Sequence, residues 1–216
     1  YDNRELMALV SVLANTDCLV LSDDIYEKIL YDGRTFSSIA ALDEALKERT
    51  VIVNSVSKAY AMTGWRIGYA AGPETIISAV NKLQSQNTSN PTSISQKASV
   101  AALNGDQMPV AHMRGEFEKR RDAICESLNA IDGITCRKPE GAFYVFPNIA
   151  AFFGRTLGGK VIVGSTDLAD YLLDEANVAV VPGSDFGDDR YMRLSYATSM
   201  SQIEEGVSRI RAALQR

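Results

Sequence analysis

The sequence predicts an α/β fold, and three observations predict it. Short apolar, β-branched runs such as Val51-Ile52-Val53 and Cys18-Leu19-Val20-Leu21 have the length of strands. Stretches with apolar residues at helical spacing lie around them, including 3–14, 74–84 and 93–104. Polar loops follow the short runs and carry hydroxyls, acids and cations. Open α/β sheets hold ligands in such crevices, outside the carboxyl ends of their strands.

Composition narrows the class. The 216 residues are 46% hydrophobic and 23% charged, an ordinary globular balance that suits one large domain or two small ones. The net charge is −5 and no basic block occurs, which argues against nucleic acid as a partner. No apolar run approaches the roughly 20 residues of a membrane span. Cys18, Cys125 and Cys136 are widely spaced, as expected for reduced thiols in a cytoplasmic protein. There is no C-x-x-C pair and His112 is the single histidine, so no metal site is expected.

The elements follow in order. Residues 3–14 predict a helix with Leu6, Leu9, Val10 and Leu13 on one face, and Cys18–Leu21 a buried parallel strand. Residues 37–48 predict a loop and short helix. Val51–Val53 predicts a second buried strand, and Trp65 to Gly72 a third, ended by Gly72-Pro73. Helices are expected over 74–84 and 93–104, joined by a polar loop and followed by Gly105. A long amphipathic helix over 108–131 places Met113, Phe117, Ile124, Leu128 and Ile131 on one face and a solvated charge run on the other, with His112 structural. Residues 133–148 predict a turn into an apolar strand, and 150–164, with Gly154, Gly158 and Gly159, a flexible loop. These glycines lack a following Lys-Ser/Thr pair, so they are not a nucleotide loop. A helix over 168–176, a strand over 178–181, a turn over 182–187 and a strand over 191–197 lead to a last helix. That helix spans 202–214 and is capped by Ser201 and Glu204.

The chemistry concentrates in Asn54 to Tyr69. Ser55, Ser57 and Lys58 follow the second strand, and Arg66 comes eight residues after Lys58. A lysine there can form a Schiff base with a carbonyl, while an arginine and hydroxyls hold a phosphate. Pyridoxal 5'-phosphate carries both groups. Asp23 sits at the end of the first strand with Tyr26 three residues on. A carboxylate beside the pyridine nitrogen keeps it protonated, and a phenol can hydrogen-bond the ring oxygen. By their spacing alone the same two residues fit a helix-capping acid and a packed tyrosine, and Asp24 is a rival carboxylate.

The string Ser-x-Ser-Lys-x-x-x-x-x-Gly-Trp-Arg-x-Gly-Tyr, from Ser55 to Tyr69, resembles the cofactor-lysine signature of class I (fold-type I) pyridoxal-phosphate aminotransferases, most nearly their bacterial aspartate branch. The Asp23-x-x-Tyr26 pair, 35 residues before Lys58, is similar to the family's pyridinium motif. The Pro-x-Gly-Ala-Phe-Tyr wording at 139–144 and Arg193-Leu194-Ser195 after Pro182-Gly183 also resemble the family. The resemblance implies Lys58 as the catalytic lysine. It implies Asp23, Tyr26, Ser55, Ser57 and Arg66 around pyridoxal 5'-phosphate, and Arg193 on the substrate α-carboxylate. The implied substrates are an amino acid, by resemblance aspartate, and a 2-oxo acid. A homodimer is implied too, with 86–92 approaching the neighbouring subunit's cofactor.

The same resemblance implies that 1–107 are the later part of a mainly parallel, three-layer cofactor-binding domain. Residues 108–216 are then a connecting helix and a smaller C-terminal α/β domain. Family members carry an Asn-Pro-Thr-Gly segment before a tyrosine such as Tyr1, with a glycine-containing phosphate loop and a stacking aromatic further upstream. The chain is therefore expected to correspond to about the second half of a family member. A non-catalytic aminotransferase-like effector domain, or a lyase or synthase of the same fold, are the alternatives.

Overall fold

The structure, a computed structural model, describes residues 1–215. The chain divides into two compact units, Tyr1–His112 and Met113–Arg216.

In the first unit, α1 spans Asn3–Leu13. Asp2 caps it, accepting the Glu5 N–H while Glu5 reaches back to the Asp2 N–H, a reciprocal box that satisfies two otherwise orphan donors. Its buried residues Leu6 and Val10 pack with Ile39 and Leu46, and with the partly buried Leu13, Val20 and Leu42. Arg49 closes the other end of this helix, donating to the Leu13 carbonyl and to the Cys18 carbonyl at 2.6 Å each. A cation on the last carbonyls of a helix is favoured by both hydrogen bonding and the helix dipole.

Strand β1 (Val20–Asp23) leads through a 3-10 turn (Ile39–Ala41) and α2 (Glu44–Lys47) to β2 (Thr50–Ser55) and β3 (Gly68–Ala71). The sheet order is β1-β2-β3. The first pairing is parallel, with Asp23 opposite Val53; the second is antiparallel, with Ser55 opposite Gly68. No crossover helix separates β2 from β3, and a direct return places strands antiparallel. The carboxyl ends of β1 and β2 and the start of β3 therefore share one edge of the sheet.

The burial expected for the first two strands is only half met. Val20 faces the α1 cluster, while Leu19 and Leu21 are 69% and 72% exposed. Side chains alternate across a strand, so an uncovered second face leaves every other residue in solvent. Helices α3 (Glu74–Asn87) and α4 (Ser93–Asn104) complete the unit. The first runs three residues beyond its expected end, and it buries none of its residues.

Helix α5 (Met108–Asn129) begins before the division and continues into the second unit, where Phe117, Ile124, Cys125 and Leu128 are buried. One residue of its charge run is not solvated: Arg121 is 1% exposed. Strand β4 (Tyr144–Val145) pairs later in the chain. The stretch expected as a flexible loop contains a 3-10 turn (Ala150–Phe152) and a hairpin of β5 (Thr156–Leu157) and β6 (Lys160–Val161). Gly158 and Gly159 have φ of 57° and 83°, the left-handed geometry that a two-residue hairpin turn requires.

Helix α6 (Ser165–Ala176) precedes β7 (Val181–Pro182), a 3-10 turn (Gly183–Phe186), β8 (Met192–Ser195) and α7 (Met200–Leu214). The sheet order is β4-β8-β7, antiparallel at both pairings. Helix α7 buries Ile203, Val207, Ile210, Ala213 and Leu214, and the buried Tyr171 of α6 donates its hydroxyl to the Ala213 carbonyl at 2.9 Å. Its cap is Ser199, which accepts the Gln202 N–H, and not Ser201; the helix starts two residues earlier than its apolar stripe suggests. Among the described residues no helix is long and apolar enough to cross a membrane.

Candidate active site

Ser55, Ser57, Lys58 and Arg66 line one hollow of about 410 Å³, together with Ile25, Thr63, Ile67 and Gly68. The local sequence explains the shape. Strand β2 ends at Ser55, and the chain turns back through Val56 and Ala59, which are buried and anchor the turn from below. The Lys58 carbonyl accepts the Ala61 N–H and the Ser57 carbonyl the Met62 N–H, so the backbone around the lysine is fixed. Ser55 Oγ accepts the Ser57 N–H at 2.9 Å and lies 2.8 Å from the Ile67 carbonyl and 2.6 Å from Ser57 Oγ. It thereby ties the two sides of the loop together. With Ser55 engaged on the loop, Ser57, Lys58, Thr63 and Arg66 bring the other donor-bearing side chains to the wall of the hollow.

Arg66 closes a 3-10 turn (Thr63–Trp65) with φ 54° and ψ 50°, and its Nη1 donates to the Thr63 carbonyl at 2.6 Å. The left-handed region costs a residue with a Cβ about 1 kcal/mol or more. Glycine enters that region freely but loses more chain entropy on folding. Arg66→Gly is therefore expected to be more stable than Arg66→Ala by roughly 0.5–1 kcal/mol, the strain less that entropy. Urea midpoints of the two variants check this. A more stable alanine variant would show that the backbone strain is absent.

Asp23 and Tyr26 line a second hollow, of about 400 Å³, with Tyr1, Leu21, Phe36 and Ser37 among its other walls. The two candidate carboxylates separate clearly. Asp24 is 8% exposed, and its oxygens accept the Ser22 hydroxyl at 2.6 Å and the Ser38 hydroxyl at 3.2 Å. Its work is to pin the end of β1 to the Ser38 loop. Asp23 is exposed and accepts the Ile25 N–H at 3.2 Å. It is the acid of the pair with capacity for a ligand.

Arg193 lies on β8 in the second unit. The Tyr144 and Phe186 ring centroids stand 4.6 and 4.5 Å from its guanidinium carbon. Tyr144 is opposite Ser195 in the β4-β8 register, hence diagonal to Arg193 on the same face. Phe186 arrives from the turn after β7, whose tightness depends on Gly183. A Cβ there would stand 2.3 Å from the Asp188 and Tyr191 carbonyl oxygens. Rings against a guanidinium fix its plane and leave its edge for a carboxylate. Sequence reading gave neither aromatic this place against Arg193. Tyr144 closes the Pro-x-Gly-Ala-Phe-Tyr wording that resembles the family, but the strand register that sets it beside Arg193 was not legible.

Among the described residues no group of three or more His, Cys, Asp or Glu side chains is arranged to hold a metal ion.

The fold is α/β, with a lysine in the hollow at the carboxyl end of β2. The chain belongs to the family of class I and II aminotransferases, matched over residues 1–210. It is 52% identical over all its 216 residues to the aspartate aminotransferase of Rhizobium meliloti (strain 1021), covering 52% of that protein. It is 50% identical over 215 residues to a probable aspartate/prephenate aminotransferase of Rickettsia bellii (strain RML369-C), covering 99% of this chain and 54% of that one. The crystal structure of the Rhizobium meliloti aspartate aminotransferase superposes with a TM-score of 0.96 at 50% identity, covering 100% of this chain and 55% of that one. The chain spans about half the length of the curated relatives it matches.

Proposed function

We propose that this chain carries the lysine, the ring-facing acid and the carboxylate arginine of a pyridoxal 5'-phosphate-dependent aminotransferase. The reaction is amino-group transfer between an amino acid, aspartate foremost, and a 2-oxo acid. One observation carries the reading: a lysine amine, a serine hydroxyl and an arginine share a single hollow at the carboxyl end of β2. That donor set fits the group, with an amine for its aldehyde and a hydroxyl and guanidinium for its phosphate.

When bound, pyridoxal phosphate supplies an electron sink that stabilises negative charge at the substrate α-carbon. Lys58 would hold the group through its aldehyde, and its amine would act on the proton of the substrate α-carbon as a general base and then as a general acid. Arg66 and Ser57 would hold the phosphate, while Ser55, also expected there, is engaged on the loop and fixes Ser57 in place. Asp23 favours a proton on the pyridine nitrogen through its opposite charge, and Tyr26 donates its phenol to the ring oxygen. Arg193 orients the substrate by bidentate contact with its α-carboxylate. The names of the relatives support aspartate as the amino donor, with prephenate a further acceptor class to assay. The functional unit in this reading is a homodimer, and a sedimentation coefficient of a monomer in the active preparation would oppose it.

The test is addition of pyridoxal phosphate to the purified chain, borohydride reduction and peptide mapping. A stoichiometric adduct confined to Lys58 is expected. Adducts spread over exposed lysines such as Lys47 and Lys119 would overturn the assignment.

A further inference from the structure

Cys125 and Cys136 are free thiols, 3% and 7% exposed, and their sulfur atoms lie 3.9 Å apart. Neither belongs to the hollows or to the Arg193 surroundings. Cys125 sits on α5, and Cys136 on the extended stretch after that helix ends. Asn129, the last residue of α5, clamps Cys136 from both sides. Its amide donates to the Cys136 carbonyl at 2.9 Å and its carbonyl oxygen accepts the Cys136 N–H at 2.8 Å. The backbone of the second cysteine is thus held against the helix that carries the first.

The pair is also asymmetric. Arg121 precedes Cys125 by one helical turn, on the same face of α5. Lys138 reaches the same region, with its amine 3.0 Å from Asp122. The Cys125 thiol is held below the usual range by the Cys136 hydrogen bond foremost, with help from the Arg121 and Lys138 charges and against its own burial. The Cys136 thiol is pushed up by the same contact and by burial. Such a pair contains a nucleophile and a partner that keeps its proton. Buried cysteines often serve only as small apolar packing groups. Two thiols in contact, one clamped and one beside cations, have the arrangement of a reactive pair.

We propose that Cys125 and Cys136 form a reversible intramolecular disulfide on exposure to hydrogen peroxide, with Cys125 oxidised first and Cys136 resolving it. The Cys125 thiolate attacks one peroxide oxygen. The O–O bond breaks, hydroxide leaves, and Cys125 becomes a sulfenic acid. Cys136 sulfur then attacks the Cys125 sulfur. The S–S bond forms, the S–O bond breaks, and the Cys136 proton leaves with the departing hydroxide as water. Both thiols are oxidised by two electrons in total, and one peroxide is reduced to two waters. In the product the sulfurs close from 3.9 Å to about 2.05 Å. The product ties α5 to the stretch that leads toward β4. The inference is independent of the aminotransferase reading.

The experiment uses the full chain carrying Cys18→Ser, which removes the exposed third thiol and with it cross-links between chains. The reduced chain is treated with one equivalent of hydrogen peroxide, unfolded in the presence of an alkylating agent, and mapped by mass spectrometry. The expected product has lost the mass of two hydrogen atoms, takes up no alkylating agent, yields a linked Cys125–Cys136 peptide, and reverts with dithiothreitol. With Cys136→Ser added, Cys125 should stop at a sulfenic acid that dimedone traps. Two alkylated thiols, or over-oxidation without a cross-link, would overturn the proposal. If the doubly substituted chain does not fold, the map of the Cys18→Ser chain decides the question by itself.

Discussion

Lys58→Ala is expected to abolish both the borohydride-fixed adduct and amino-group transfer, with turnover falling by at least about 10⁴-fold, the upper range for losing a positioned general base. The side chain is only half-buried, so the stability of the first unit should change by no more than about 0.5 kcal/mol. The lysine turn is held by its backbone bonds and by Val56 and Ala59, which the substitution leaves alone. Lys58→Arg sharpens the result. A guanidinium keeps the positive charge but does not give up its proton near neutrality, so it cannot serve as the base. If charge alone mattered, the arginine variant would retain activity where the alanine variant did not. Equal loss in both, with unchanged urea midpoints, is the outcome that supports an amine acting on a proton. Unchanged aspartate-dependent turnover in either variant would end the reading of Lys58 as the catalytic group.

The parts of this molecule that were legible in its sequence are those in which local pattern and chemistry coincide. Val51–Val53 followed by Ser55, Ser57 and Lys58 reads as a strand with a reactive loop, and the structure brings Ser55, Ser57, Lys58 and Arg66 to one hollow. Helix α4 ends before Gly105, where the expected stop stands. The misread parts depend on long-range contacts. Leu19 and Leu21 have the composition of a buried strand, but whether both faces are covered is decided by what packs on them, and only the Val20 face meets the α1 cluster. The β5-β6 hairpin has two residues per strand, too few for alternation to register, and its glycines read equally well as a loop. Arg121 sits in a run of charges whose neighbours are solvated, and periodicity cannot single out one buried guanidinium. The resemblance already preferred Asp23 to Asp24; what the sequence did not show is the structural contact of Asp24 with Ser38, fourteen residues away.

Arg121→Ala is expected to destabilise the second unit by about 2–4 kcal/mol, the range for truncating a large, fully buried side chain. Its Nε and Nη2 both lie 2.8 Å from Asp122 Oδ1, and Nη1 donates to the Pro139 carbonyl at 3.2 Å. Removing one partner of a buried ion pair costs more when the other charge is stranded away from water. Here Asp122 is 48% exposed and keeps Lys138 at 3.0 Å, so its charge is not stranded and the loss stays in the cavity range. Arg121→Met restores volume without donors and should recover part of the loss, leaving roughly the 1–3 kcal/mol of an unsatisfied carbonyl.

The acid limb separates packing from charge. Partial burial pushes the Asp122 carboxyl up, but the Lys138 and Arg121 hydrogen bonds outweigh it and hold the group below the ordinary value of 3.8. A depressed carboxyl contributes stability above its unfolded value, and that contribution is lost as pH falls through the lower folded value. The unsubstituted chain should therefore lose this increment below pH 3.8, and Arg121→Ala should lose less of it over the same window. Urea midpoints at neutral pH and below pH 3.8 measure both effects, and identical acid limbs would deny Arg121 its hold on Asp122. The contact also reaches the site. Pro139 leads through Gly141 and Phe143 to Tyr144, whose ring stands against Arg193. A buried arginine on α5 thus anchors the segment that delivers an aromatic wall to Arg193, the residue proposed to bind the carboxylate. Loosening it should raise the KM for aspartate more than it lowers kcat.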